Sequence, residues 1–593
     1  DLDEKRYRPH VIHAKISNAK NELVLPDEYP VNSYLDEVVQ RIYHRYQELL
    51  LTSNALDFDD LLLWTAHLME FHPAVREQYA RRYEHILVDE FQDTNQAQYQ
   101  LLKHLGSFHR NLFVVGDGDQ SIYRWRGADY RNMIRFENDY PDHIKILLEQ
   151  NYRSTQNILD AAMAVIEHNP HRTHKQLFTQ QSGGEKIVLH EAFNGREEGG
   201  WVVNKIAEMV MNANVEPGDC AIMYRTNAQS RLIEEAFLQA NLPYKLVGAQ
   251  RFYGRREVKD IIAYLRLVHN PNDEASLSRV INTPRRKIGN KTIASLRTLA
   301  INEKTSMGVV VLEIGKGPES EYYNSFGTAA ARPLAGFGHL LGKWVQALPE
   351  LTPLALMDKI ISDVDYQSYL DDGSEEGIDR WENVLELRRL AAEAESENKS
   401  LTEFLEGIAL VSDQDTVDAS ANVPTLMTLH AAKGLEFPVV FIVGLEDGTL
   451  PHSRSFEDPE GMAEERRLFY VGITRAKRRL ILTHALNRTN YGYSEPADPS
   501  RFLEDIPGEL VSGGNYWQTL RQPQRHFKMA TTWDAQSERE AVLVKPTHHA
   551  GQKVSHALYG EGMVLKTEID DGDEIVDVFF EEVGLKKLVA SLA

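Results

Sequence analysis

Two acidic residues, Asp89 and Glu90, directly follow the apolar run HILV (85–88). A carboxylate at the carboxyl end of a parallel strand points into the ligand crevice of an α/β sheet. In a nucleotide hydrolase one such Asp holds Mg²⁺ and a neighbouring Glu polarises the attacking water. The dipeptide alone reads equally well as an acidic turn, but its continuation as DEFQDTNQAQYQLL is far more specific. A second run, NLFVVGD (111–117), opens into GDGDQSIYRWRGAD (116–129). There Gln120 could sense a γ-phosphate with its amide. Tyr123, Trp125 and Arg126 interleave aromatic and basic groups, which suits base stacking with phosphate pairing. In EQNYRS (149–154), Tyr152 could stack on a purine and Arg153 reach a phosphate. Arg475, in YVGITRAKRRL (470–480), is a second arginine able to neutralise charge on a transferred phosphoryl group. Glu436, in TLHAAKGLEFPVVFIVGLEDGTLPH (428–452), could accept hydrogen bonds from a ribose hydroxyl.

These residues need strands and helices to carry them. Leu35, Val38, Val39, Ile42, Tyr46 and Leu49 repeat at helical spacing. Beyond them, short apolar runs alternate with helical stretches: HILVDE (85–90), NLFVVGD (111–117), HIKILLEQNYRS (143–154), KIVLHEAF (186–193) and CAIMYRT (220–226). That alternation predicts parallel α/β sheets. Residues 256–420 read as mostly helical, and strand signals return at 438–447 and 478–485. A sheet interrupted by a helical insertion accounts for this order. Residues 511–550 are polar and read as a linker. The runs GMVLKTEI, EIVDVFF and GLKKLVA in 551–593 predict a small barrel of SH3 or Tudor type.

The 593 residues, 42% hydrophobic and 26% charged, predict a soluble multidomain protein. A single cysteine, Cys220, excludes an intrachain disulfide framework and a Cys-rich zinc site. No apolar run approaches a membrane span, and no signal-peptide core opens the chain, so a cytoplasmic setting is expected. The net charge of −23 argues globally against a nucleic-acid partner. The charge is segregated, however: 245–297 carries net +8, 466–488 has 7 basic and no acidic residues, and 363–406 carries net −10. The two basic zones read either as phosphate-holding surfaces or as solvated helix faces, and charge alone does not separate the two.

Taken together, DEFQD, GDxDQSIYRWRGA, NYRS, HxxKGLEF and VGITRA, in this order, resemble motifs II to VI of superfamily 1 DNA helicases of the UvrD/PcrA/Rep group. The resemblance covers nearly the whole chain. Gly118 stands where the family usually has Ala. The resemblance implies an α/β fold of two RecA-like parallel-sheet lobes, the first incomplete, with helical insertions and a small C-terminal SH3/Tudor-like β-barrel. It implies a remainder of helical subdomain 1B at 1–40, an incomplete lobe 1A at 41–148, lobe 2A at 149–255 and 421–510, and helical subdomain 2B at 256–420. The linker at 511–550 and a Tudor-like domain at 551–593 follow. The cofactors implied are ATP and Mg²⁺. Asp89 would hold the metal and Glu90 activate water. Gln120, Arg153 and Arg475 would contact the γ-phosphate, Tyr152 the adenine and Glu436 the ribose. Tyr123, Trp125, Arg126 and His430 would contact single-stranded DNA, and Tyr491 would sit at a strand-separating hairpin. NTPRRKIGNKT (282–292) is similar to the family's duplex-contacting loop, which assigns Arg285, Arg286 and Lys287 to duplex junctions, with Lys287 in place of the family's first Gly. The activity implied is ATP-dependent 3′ to 5′ DNA unwinding in repair or replication. RNA polymerase is the partner implied for 551–593.

The family's phosphate-binding loop, G-x-x-x-x-G-K-[ST], has no counterpart string here. GFGHLLGK (336–343) has the wrong glycine spacing, and Trp344 follows its lysine. The expectation is a chain that opens inside the family's first insertion, a fragment that alone would not hydrolyse ATP. A split helicase completed by another polypeptide and an ATPase-dead binding or scaffold protein are the other readings.

Overall fold

The computed structural model describes residues 7–170, 172–181, 183–212, 215–412, 422–490, 493–513, 552–556, 560–570, 573–580 and 584–589. The chain forms two compact units, Asp1–Asn515 and Tyr516–Ala593.

The first unit opens with helices. Helix Tyr34–Thr52 starts where the Ser33 hydroxyl accepts from Asp36 N; of the expected apolar set it buries Val38 and Val39 and half-buries Leu35, Ile42 and Tyr46, while Leu49 is exposed and Tyr43 is buried in addition. Asp57 and Asp60 form a capping box at the head of helix Phe58–Phe71. The same two carboxylates hold the fully buried Lys20 ammonium at 2.6 and 2.9 Å, which fastens helix Pro9–Asn21 to them. Asn21 then accepts at 2.6 Å from Asn95, the N-cap of helix Gln96–Leu105. Thus the first helices are tied to the segment that follows Asp89 and Glu90.

Strand Ile86–Val88 pairs in parallel with strand Leu112–Val114, and each strand ends in one of the polar loops singled out in the sequence. Leu87 and Phe113 on this two-stranded sheet are exposed. The strand expected from HIKILLEQNYRS is shorter than its apolar run: only Gln150–Asn151 is extended and paired, with Phe178–Thr179. A strand exists through its ladder partners. Among the described residues no strand pairs with 143–148, and Ile144, Ile146 and Leu148 stand exposed in irregular chain.

The second sheet has seven parallel strands in the order Val511–Ser512, Ile187–Asn194, Ala476–Asn490, Phe437–Ile442, Cys220–Tyr224, Thr425–Thr428 and Lys245–Leu246, with Tyr493–Pro496 antiparallel at one side. Every residue of Cys220–Tyr224 is buried. That is why its sequence is a continuous apolar run rather than an alternating one. Helix Pro459–Ile473 approaches this sheet closely. A Cβ on Gly472 would fall 2.5 Å from Leu429 Cδ2, so glycine there sets the depth at which Arg475 is delivered.

Between the strands Lys245–Leu246 and Thr425–Thr428 the described chain is helical, from Arg256–His269 to Leu401–Ser412, around a core containing Tyr264, Phe337 and Trp344. GFGHLLGK lies inside helix Thr328–Ala347, so it forms no phosphate-binding loop. None of the described helices is long and apolar enough to cross a membrane.

The second unit, taken by itself, is a four-stranded antiparallel meander of Lys553–His556, Gly560–Asp570, Asp573–Phe580 and Gly584–Val589. Val564, Val578 and Phe580 form its core. The linker expected at 511–550 lies, from residue 514 on, outside the described residues.

Candidate active site

Asp89 leaves the end of its strand exposed, with Oδ1 accepting from Glu90 N at 2.9 Å. Glu90 itself turns in the left-handed region (φ 50°, ψ 40°), where non-glycine backbone is strained. Its carboxylate accepts from Gln92 Nε2 at 2.5 Å and lies 3.5 Å from Lys433 Nζ. Beside it is a cavity of about 380 Å³ lined by Asp89, Glu90, Asp93, Thr94 and Gln98 on its polar part and by Val88, Leu101, Leu102 and Leu105 on its apolar part. Lys433 comes from the loop after strand Thr425–Thr428. It also holds Asp93 in a short ion pair and donates to Gln120 O at 2.8 Å. Burial raises the Asp93 carboxyl above its usual range, although Lys433 pulls the other way.

Facing this acidic group are two arginines. Arg475 follows helix Pro459–Ile473 and is 2% exposed. It donates to Val471 O at 3.0 Å and to Gln120 Oε1 at 3.3 Å. Among the described residues no carboxylate lies within ion-pair distance of it. Burial, followed by the nearby Arg153 charge, lowers its pKa to about 10. Arg153 donates to Glu436 Oε2 at 2.5 Å and to Thr474 O at 3.3 Å. Lys477 takes the other oxygen of Glu436 at 2.7 Å. Hydrogen bonds from Lys477 and Arg153 hold the Glu436 carboxyl down at about 2. Two guanidiniums close together, one of them buried without a counterion, make a site that favours an anion.

The aromatic group assembles as well. Tyr123 and Trp125 have ring centroids 6.4 Å apart, and Tyr123 and His430 have them 6.5 Å apart. Tyr123 donates to His430 O at 3.4 Å, which joins the two sheets' loops. A cavity of about 340 Å³ adjoins Trp125 and His430, and Arg225 and Thr226 also line it. Carboxylates share its wall, and burial pushes Glu464 up to about 7 and Asp379 up to about 6. The side chain of Arg126, and the whole of Tyr491, lie outside the described residues.

Other expected residues stand apart. Tyr152 is 78% exposed, with its hydroxyl on Gln150 Oε1 at 3.0 Å. Arg285 and Lys287 are exposed in the loop before helix Asn290–Asn302, Lys287 with φ 62°. Arg286, expected to meet duplex DNA, turns inward instead. It donates to Val280 O at 2.9 Å, Thr283 O at 3.1 Å and Tyr264 OH at 2.6 Å, with its guanidinium over the Phe337 ring. Its donors tie the loop's own carbonyls together, which leaves it no fork for a phosphate. Sequence reasoning also missed Gln92, Asp93, Asp117, Arg172 and Lys175. The first three sat inside the motifs already quoted. Arg172 and Lys175 carried no signal beyond being cations in an irregular stretch.

The same chain has relatives throughout its length. Residues 1–141 match the UvrD/REP helicase N-terminal domain, 146–487 the UvrD-like helicase C-terminal domain, and 550–593 the PcrA/UvrD tudor domain. An ATP-dependent DNA helicase PcrA of Staphylococcus epidermidis is 40% identical over 607 residues, covering 100% of this chain and 81% of the relative. The Bacillus subtilis protein of the same name is 40% identical over 617 residues, covering 100% and 82%. That of Staphylococcus aureus is 39% identical over 605 residues, covering 100% and 82%.

Proposed function

The chain belongs to the UvrD/PcrA family of ATP-dependent DNA helicases, and we propose that its two sheets close on ATP to move it 3′ to 5′ along single-stranded DNA. The observation that carries the reading is that Arg153 and Arg475, the latter with no carboxylate in ion-pair range among the described residues, lie together near the acidic strand end at Asp89 and Glu90. Phosphoryl transfer needs positioning and charge neutralisation more than covalent chemistry. Bound nucleotide and Mg²⁺ would supply the phosphoryl group and the charge on it. Mg²⁺ keeps most of its waters and takes one or two carboxylates plus phosphate oxygens, so the exposed Asp89 fits it. Glu90 orients water, Gln120, Arg153 and Arg475 hold the γ-phosphate, Glu436 holds the ribose, and Tyr152 stacks at the adenine. Tyr123, Trp125, Arg126 and His430 pass bases along, with Tyr491 at the strand-separating position. We assign Arg285 and Lys287 to duplex phosphates. The domain division follows the same reading: 1–40, 41–148, 149–255 with 421–510, and 256–420, then a linker at 511–550 before the Tudor-like 551–593. Work in DNA repair or replication, in the cytoplasm, goes with this activity.

The C-terminal meander carries a net charge of −5 over 551–593 and would repel a phosphate backbone. We assign it to docking RNA polymerase. An ATPase-dead scaffold would have no use for Asp89, Glu90, Gln120, Arg153 and Arg475 gathered in one place, so that reading gains no support from the site.

The test joins the family's phosphate-binding-loop segment to the N-terminus of this chain, whose own sequence has no such string. Glu90→Gln should abolish DNA-stimulated ATP hydrolysis and leave ATP binding intact. Near-normal turnover in that variant would defeat the reading.

A further inference from the structure

The loop Gly116–Gln120 is gripped from two directions. Asp119 accepts a bidentate pair from Arg172, at 3.0 and 2.9 Å, and both side chains are 6% exposed. Lys175 makes a short ion pair with Asp117 and a second contact, 3.1 Å, with Asp119. It also lies 5.8 Å from the ring centre of Tyr470, on the helix that ends beside Arg475. On its other oxygen Asp117 accepts from Gln120 Nε2 at 2.9 Å. Its backbone N–H donates to Gln92 Oε1 at 3.0 Å, and Gln92 Nε2 donates to Glu90. A Cβ on Gly116 would lie 2.6 Å from Gln92 Oε1, so a side chain there would displace the Gln92 amide from this position.

The chemistry of these partners fixes the Gln120 amide. An ionised carboxylate only accepts, and a guanidinium only donates. The amide nitrogen must therefore face Asp117 and its oxygen Arg475, and a flipped amide would oppose both. A single residue, Asp117, thus touches both arms of the site: Glu90 through Gln92, and Arg475 through Gln120.

We propose that Asp117, held by Lys175, is a positioning residue that keeps Gln120 and Glu90 in register with Arg475, so that hydrolysis depends on the cations of segment 172–175. This rests on the assignment of Glu90, Gln120 and Arg475 to ATP hydrolysis. Burial opposes ionisation of Asp117, but the Lys175 charge and hydrogen bonds outweigh it and hold the carboxyl below its usual range.

The experiment measures steady-state ATP hydrolysis with single-stranded DNA in the chain joined to the phosphate-binding-loop segment. Lys175→Met and Asp117→Asn should each lower kcat about tenfold or more, with the KM for ATP and the DNA affinity within about twofold of the parent. The double variant should be no worse than the weaker single. Lys175→Arg should recover most of the rate. An unchanged kcat in both single variants overturns the proposal, provided Glu90→Gln is inactive. An active Glu90→Gln would instead overturn the hydrolytic reading beneath it. A loss that tracks a lowered urea midpoint and is not recovered by Lys175→Arg would mean that the cluster only holds the fold together, which also overturns the proposal.

Discussion

Lys433 Nζ lies 3.5 Å from Glu90 Oε2 while forming its main ion pair with Asp93, although the two carboxylates belong to the loop after the first sheet and the lysine to the second. The lysine is 7% exposed, so it is a buried tie between the two halves of the site. Breaking a buried pair by removing one partner costs about 3–5 kcal/mol, because the other charge is stranded. Lys433→Met should therefore lower unfolding stability by that order near pH 8.

The deficit should shrink as pH falls. Burial already raises the Asp93 carboxyl, and loss of Lys433 raises it further. The folded state then binds a proton that the unfolded state does not, and stability falls as pH rises through that window. Urea unfolding of the variant at several pH values reads this directly. A deficit that does not shrink as pH falls would contradict the pairing.

The arginine pair makes a prediction that needs no hydrolysis. Inorganic triphosphate should raise the thermal midpoint of this chain, by about 2.7 kcal/mol of stabilisation at one hundred times its dissociation constant. Arg475→Met should erase that rise. Because Arg475 is a buried charge with no carboxylate in ion-pair range among the described residues, its removal should cost less than the loss of Lys433. A triphosphate effect that survives in Arg475→Met would place the anion elsewhere.

Glu436 gives the opposite pH behaviour. Its folded pKa of about 2 lies below the ordinary 4.5, so the stabilisation is present above 4.5 and is lost as pH falls through about 2. A carboxyl-carbon titration should find its midpoint near 2 in the parent and closer to 4.5 in Arg153→Ala. A parent midpoint near 4.5 would mean that Arg153 and Lys477 do not hold it.

What the sequence made legible were groups placed by strand ends. Asp89, Gln120 and Arg475 each stand within a few residues of an apolar run, and the parallel pairing of that run in its sheet fixes where they go. Lys175 and Arg172 were illegible because they sit in irregular chain, and their role comes from partners more than 50 residues away. The run Ile144–Leu148 misled for a related reason: apolar composition marks burial or pairing, yet no described strand lies beside it. In Arg285, Arg286 and Lys287, three adjacent cations look alike in sequence, and only the direction of each side chain separates them.

Trp125 should act as a stacking platform. Trp125→Ala should weaken single-strand binding by about 1–3 kcal/mol, the usual size for one lost base stack. Tyr123 and His430 stay in place in that variant, so binding should be reduced rather than abolished. Fluorescence anisotropy with a short labelled oligonucleotide measures it, and an unchanged affinity would remove Trp125 from the DNA path.

The loop at 282–292 separates two effects that a triple neutralisation would confuse. Arg285 and Lys287 are exposed and carry charge that can meet phosphates. Each phosphate contact contributes about 0.9 to the slope of log affinity against log salt on duplex DNA. The double variant Arg285→Ala, Lys287→Ala should therefore flatten the salt slope of junction binding by up to about 1.8 while leaving the thermal midpoint unchanged. Arg286→Ala should do the reverse. It removes donors to Val280 O, Thr283 O and Tyr264 OH, and Asn282 Oδ1, which accepts from Arg286 N at 2.7 Å and Ile288 N at 3.3 Å, is left to hold the loop. Its loss should appear as a lower melting temperature, with any fall in junction affinity following from a disordered loop. If Arg286→Ala flattens the salt slope as much as the double variant does and melts like the parent, the inward guanidinium is not what orders this loop.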